Sequence, residues 1–168
     1  MYQLEVKLAL VRLCFNPANG WAGTVDVDAM ERARGGQHSA DKAERAEQAE
    51  SDLRALGVTI GPHPLFGRVD VVAEHPTLGL RLIEVEGDSS RQREEAVYSA
   101  LGQLMLVMKV SNPQVRYGLA VPSSPQWIHQ LRKVPPEVTG RLAIDLYAVA
   151  PNSVAITEGG VTIPKWGR

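Results

Sequence analysis

The tightest constraint on this chain lies between residues 68 and 86. Residues 68–74 (RVDVVAE) and 80–86 (LRLIEVE) read as two apolar strands, and His75-Pro76-Thr77-Leu78-Gly79 between them reads as a hairpin loop. The strongest helical pattern in the chain follows over 91–109, where Ala96, Val97, Ala100, Leu101, Leu104, Met105 and Met108 are apolar. Residues 115–121 (VRYGLAV) then read as a buried strand. Strands and helices in this order need a shared sheet with helices packed on it. The spacing therefore predicts a mixed α/β or α+β domain with a central sheet.

The flanking segments extend this unit. Tyr2, Leu4, Val6, Leu8 and Leu10 alternate with Gln3, Glu5 and Lys7, the pattern of a half-buried strand running to Phe15. The turn Asn16-Pro17-Ala18-Asn19-Gly20 and a returning strand over 21–29 complete an expected N-terminal β-hairpin, 2–29. Residues 40–56 read as a helix with Ser39 as N-cap and Gly57 as C-cap, because Ala43, Ala46, Ala49, Leu53 and Leu56 form one apolar stripe. A short strand, 58–60, and the rigid turn Gly61-Pro62-His63-Pro64 lead into the hairpin. Beyond it a short helix, 127–133, precedes Pro135-Pro136, and strands over 142–150 and 154–157 finish a C-terminal region of helix and strands, 125–165. The chain has 168 residues, 44% of them hydrophobic, which suits a single domain, 1–168, with a buried core.

Composition removes several classes of function. The single cysteine, Cys14, excludes an intrachain disulfide and a Cys-rich zinc module. His38, His63, His75 and His129 have no metal-ligand spacing, and no glycine-rich phosphate loop is present. No run is apolar enough to span a bilayer and no leader pattern is evident, so a cytoplasmic protein with no membrane partner is expected. The 18 Lys+Arg against 19 Asp+Glu, net charge -1, speak against a general polyanion binder. The balance is uneven along the chain: residues 1–86 hold 9 basic and 13 acidic residues, and residues 87–168 hold 9 and 6, which suggests a site of mixed sign.

Three carboxylates stand where packing alone would not put them. Asp70 interrupts the apolar run Val69-Val71-Val72, although Asp is depleted in strands and rarely buried unpaired. Glu84 and Glu86 share one face of the next strand, their Cα atoms roughly 6.6 Å apart, at the point where the face of Leu80 and Leu82 ends. A hairpin can bring Asp70 beside Glu84, and like charges so placed raise a pKa unless a cation offsets them. A divalent metal is the simplest such cation, and hard carboxylate oxygens suit Mg²⁺ or Mn²⁺. Pairing with Arg68, Arg81 or Arg91 is the alternative.

The long helix adds candidates. Gln92, Ala96, Ser99 and Gln103 fall on one line of its surface, so Gln103 is expected near packed surface, its amide bonded to a neighbouring strand or directed across the site to a phosphate, a base or a metal-bound water. Arg91 and Arg93 open the helix at the end its macrodipole makes unfavourable for cations. They are expected either to offset Glu86 and Asp88 or to grip a phosphate.

Taken in order, these features resemble the PD-(D/E)XK nuclease superfamily over about half the chain. Gly67-Arg68-Val69-Asp70-Val71-Val72 looks like the motif that supplies its metal-binding Asp, and Ile83-Glu84-Val85-Glu86-Gly87 looks like its Glu-x-Lys strand. Ala100-Leu101-Gly102-Gln103-Leu104 is similar to the Gln-bearing helix of RecB-like members, and Tyr117–Pro122 resembles the strand that follows. The resemblance implies a restriction-endonuclease-like core over about 40–122, with a central mixed sheet flanked by helices. It also implies Mg²⁺- or Mn²⁺-dependent hydrolysis of phosphodiester bonds, usually in DNA. Asp70 and Glu84 would be metal ligands, Glu50 or else Glu47 the first-helix acid at the metal, Glu86 a further ligand or base, and Gln103 a supporting residue. Gln92, Arg91 and Arg93 would contact nucleic acid, and a homodimer would cut both strands.

The sequence departs from that pattern twice. Glu86 stands where the family has Lys, which removes a positive charge beside the scissile phosphate. The usual place of the first-helix acid falls on Ala46. A catalytically degenerate module that binds nucleic acid or a protein partner in a defence or repair complex is the alternative.

Overall fold

A computed structural model describes residues 1–32, 41–88, 92–109, 112–158 and 161–166, with side chains described through residue 157. Eight strands form one mixed sheet: β1 (Ala22–Val25), β2 (Thr59–Ile60), β3 (Val71–His75), β4 (Gly79–Val85), β5 (Val115–Pro122), β6 (Ile144–Ala150), β7 (Ser153–Glu158) and β8 (Val161–Trp166). Their spatial order is β2-β1-β3-β4-β5-β6-β7-β8. β4, β5 and β6 run parallel, as do β1 and β2, and the other neighbours are antiparallel. The expected α/β class with helices flanking a central mixed sheet is what forms.

Alternation along the strands builds a core on each face of the sheet. Ile83 and Val85 of β4, with Val71 and Ala73 of β3, pack under the helices α1 (Gln3–Cys14) and α2 (Lys42–Ala55). Leu82 and Val72 face the other way, against α3 (Arg93–Val107) and α4 (Pro125–Leu131). α2 ends as its sequence predicts. Gly57 adopts φ +86, its N–H donates to the Arg54 carbonyl, and Val58 N–H reaches back to Leu53, so the last carbonyls are satisfied.

The N-terminal hairpin over 2–29 does not form. Residues 3–14 are helix α1, and β1 pairs instead with β2 and β3. Leu4, Val6, Leu8 and Leu10 fit a period of two, but Leu4, Lys7 and Val11, and Val6 and Leu10, also fit helical spacing. A helix clamped between the sheet and α2 is buried on most of its circumference, so its apolar residues carry no single stripe. The Leu- and Ala-rich composition favours helix over strand.

Smaller corrections bear on the site. Asp70 sits at the entry to β3 rather than in mid-strand, and Glu86 lies one residue past β4. Pro135-Pro136 begins a further helix, α5 (Pro136–Arg141), with Pro136 at its first position, where a missing N–H costs nothing. β8 was not expected. Ser39 and Arg91 lie outside the described residues.

Candidate functional site

The entry to β3 and the end of β4 bring Asp70 and Glu84 together. Asp70 Oδ2 accepts the Val85 N–H at 2.8 Å, which ties the aspartate to β4, and the Glu84 carboxyl shares a hydrogen bond with Asp70. Gln3 Nε2, from the first turn of α1, lies 3.3 and 3.4 Å from the two Asp70 oxygens. One turn further along α1, Lys7 Nζ stands 2.7 Å from Asp70 Oδ1.

Lys7 is fully buried and uses all three of its donors. Besides Asp70 it meets Glu31 Oε1 and the Asp26 carbonyl, each at 2.7 Å. Burial pulls its pKa down, but the charges of Asp70 and Glu31 outweigh that and hold it above the ordinary lysine value. Glu31 is itself raised, by burial first, against the lowering effect of Lys7. Burial and then the charge of Asp70 push Glu84 up to about 9. Near neutrality Glu84 therefore carries a proton.

The arginines expected beside the hairpin carboxylates do other work. Arg68 pairs with Asp26 at 3.0 Å, and Arg81 donates to the carbonyls of Leu78 and Leu80. The cation at Asp70 is Lys7, which a strand reading of residues 3–14 sends to solvent. On a helical reading, Lys7 interrupts the apolar line from Leu4 to Val11, and that signal could have found it. Glu31 lies in a loop without periodicity, and nothing in the sequence marks it.

These groups open onto a cleft of about 670 Å³. Asp70, Glu84, Glu86 and Gln103 all line it, so four of the expected site residues meet in one place. Gln103 is exposed within it rather than bonded to a strand backbone. Among the described residues, eight carboxylates line the cleft against two cations, Lys42 and Arg68. Arg68 is one of the arginines expected beside the hairpin carboxylates, and Lys42 is not among the expected residues.

Four expected residues do not join the group. Glu50 is held by Arg32 at 2.8 Å and Arg54 at 2.9 Å, and with Glu47 it lines a separate groove of about 370 Å³. The Arg32 hydrogen bond, with that of Arg54, lowers the Glu50 pKa. The α2 residues that reach the cleft are Lys42 and Ala46, the second at the place the family spacing implies for an acid, and neither brings one. Gln92 is the exposed N-cap of α3. Arg93 lies beside the cleft with its guanidinium 3.4 Å from Asp88 and 5.7 Å from the Trp127 ring, so offsetting Asp88 is the job it performs.

Among the described residues, no three His, Cys, Asp or Glu side chains are gathered as a ready metal cluster. Mg²⁺ does not need one, since it keeps several waters and is commonly held by one or two carboxylates together with substrate phosphates. The adjacent Asp70 and Glu84 carboxyls fit that requirement. Among the described residues no helix is long and apolar enough to cross a membrane. No family model, curated protein or solved structure matches the chain.

Proposed function

We propose that this chain is a metal-dependent nuclease that hydrolyses phosphodiester bonds in DNA, with Asp70 and Glu84 holding Mg²⁺ or Mn²⁺. The observation that carries the reading is the juxtaposition of the Asp70 and Glu84 carboxyls in a cleft that Glu86 and Gln103 also line. The order of elements around it, α2, β3, β4, α3 and β5 with β4 parallel to β5, supports the resemblance to PD-(D/E)XK nucleases.

A divalent cation in such a place polarises a phosphoryl oxygen and supplies a water acidic enough to attack phosphorus. The chain's own residues set the stage for this. Lys7 and the Val85 N–H fix Asp70 from two sides. Glu84 gives up its proton when a cation replaces the field of its neighbours. Gln103 offers an amide N–H to a phosphate oxygen, and Lys42 and Arg68 place positive charge on the cleft wall. Lys7 restores near Asp70 the positive charge that Glu86 removes, but from a buried position that holds the carboxylate rather than touching substrate.

The test is incubation of the purified chain with single-stranded, double-stranded and branched DNA in Mg²⁺ or Mn²⁺. Cleavage that disappears in Asp70→Asn and in EDTA is expected, and DNA left whole in both metals would overturn the reading. One observation favours the degenerate module instead: both Asp70 oxygens already accept short bonds, from Lys7 and Val85. Under that reading the chain binds DNA or a protein partner and cuts nothing, even with Mn²⁺ bound.

A further inference from the structure

Glu31 belongs to no motif and lies in the loop after β1, yet it is only 6% exposed. Its two oxygens are treated very differently. Oε1 accepts from Lys7 Nζ at 2.7 Å and from the Asp28 N–H at 3.0 Å. Oε2 is buried and has no hydrogen-bond partner, and among the described residues it is the buried side-chain polar atom in that condition. Glu31 lines the same cleft as Asp70 and Glu84. A buried acceptor left without a donor is costly, and native proteins supply such atoms with a water, an ion or a ligand.

The surroundings decide which kind of ligand fits. In the ionised form, which the Lys7 ammonium favours, Glu31 only accepts, so an anion is excluded. Glu31 and Asp70 are both 2.7 Å from Lys7 Nζ, so a single ammonium separates them. That ammonium carries one positive charge against two carboxylates, and its third donor goes to the Asp26 carbonyl. The remaining negative charge faces a cleft whose other charged lining residues are mostly acidic. Hard oxygen donors and surplus negative charge select a hard divalent cation.

We propose that Glu31 is a third cation-binding carboxylate of this cleft, its Oε2 taking a divalent ion shared with Asp70, directly or through one of the ion's waters. This is the part the resemblance gives to Glu50 or else Glu47. The inference rests on the metal-dependent reading of Asp70 and Glu84, and it goes beyond that reading in naming a residue the motifs do not contain. Asp70 comes to the ion from a strand entry, and Glu31 comes from a loop pinned to α1 by Lys7. The ion therefore ties the N-terminal helix to the sheet.

The experiment is Mn²⁺ titration followed by electron paramagnetic resonance, on wild type, Glu31→Gln and the exposed α2 control Glu44→Gln, each shown folded by its own thermal melt. Gln keeps an oxygen for Lys7 and the Asp28 N–H. Glu31→Gln is expected to weaken Mn²⁺ binding by about 10- to 100-fold, the usual cost of losing a supporting group at a metal. Glu44→Gln is expected to match wild type. If Glu31→Gln binds within about twofold of wild type, Oε2 holds only water and the inference falls while the reading of Asp70 and Glu84 stands. If wild type itself binds no Mn²⁺, that reading falls and takes this inference with it. Should Glu31→Gln fail to fold, anomalous diffraction from a Mn²⁺-soaked wild-type crystal decides the matter. An ion within direct or one-water reach of Oε2 is expected, and an ion beyond that reach overturns the proposal.

Discussion

Lys7 Nζ lies 2.7 Å from Asp70 Oδ1, and Lys7 is fully buried where the two meet. The pair joins α1 to the entry of β3, and the same ammonium holds Glu31 at 2.7 Å. Removing one member of a buried ion cluster leaves the others uncompensated, typically at a cost of about 3–5 kcal/mol. Lys7→Met is expected to lower unfolding stability by that amount in urea denaturation. Lys7→Met combined with Asp70→Asn is expected to recover part of the loss, because the second change removes a charge that the first left unpaired. A loss below about 1 kcal/mol, the range of an exposed pair, would show that the cluster is solvated.

Glu84 makes stability depend on pH in the direction opposite to most carboxylates. Its folded pKa is raised to about 9 and its ordinary value is 4.5, by burial and the charge of Asp70. Between those values the folded state binds the extra proton, so the unfolded state gains relative to it as pH rises. The metal-free chain is expected to lose melting temperature steadily from about pH 5 to pH 9, from this group, and Glu84→Gln is expected to flatten that slope. Added Mn²⁺ should stabilise wild type more at pH 8 than at pH 6, because the ion competes with a proton at Glu84. Melting curves at fixed Mn²⁺ across this range check both statements.

The parts of the site that were legible share strong local periodicity. Asp70 stands out in an apolar run, Glu84 and Glu86 stand at the end of another, and Gln103 sits on a helix that three apolar turns define. The rest depended on contacts between distant segments. Lys7 was hidden because a period of two and a period of 3.6 coincide over residues 4–10, and a lysine on a half-buried strand points to water. Glu50 follows Ala43 by seven residues and so lies at the edge of the α2 apolar stripe. The side of α2 that meets the cleft is set by how α2 packs on α1, and it presents Ala46. Glu31 could not be read because it is fixed by Lys7 from α1, a distant segment, as well as by the Asp28 N–H of its own loop.

The charge of the cleft bears on how DNA would enter it. Eight carboxyl groups, of which Glu84 holds a proton near neutrality, face two cations among the described lining residues, so a bare polyanion is repelled. DNA binding is therefore expected to need a divalent ion, with affinity at least about tenfold higher in Ca²⁺ than in EDTA at the same ionic strength. Asp70→Asn, which removes one of the repelling charges and a metal ligand together, is expected to bind DNA in EDTA more tightly than wild type while cleaving none. Fluorescence anisotropy with a labelled duplex reads both quantities. Equal affinity in Ca²⁺ and EDTA would mean that DNA binds elsewhere on the surface.

Gly87 offers a test of whether the position of α1 controls the site. It follows Glu86 directly, and a Cβ placed there would overlap the backbone of Gln3 and Tyr2 at the start of α1. Gln3 donates to Asp70, and Lys7 lies one turn beyond it. Gly87→Ala must push the helix start away from β4, and overpacking of this kind costs about 1–3 kcal/mol. The displaced helix should also loosen its hold on Asp70, so Mn²⁺ affinity is expected to fall along with stability. Gly102→Ala gives the contrast, because a Cβ there meets nothing within 4 Å on the exposed side of α3. That change is expected to stabilise by about 0.5–1 kcal/mol through helix propensity alone. It should leave Mn²⁺ affinity where it was. If Gly87→Ala lowers stability but binds Mn²⁺ like wild type, α1 supports the fold without positioning Asp70, and Lys7 is a structural counter-ion only.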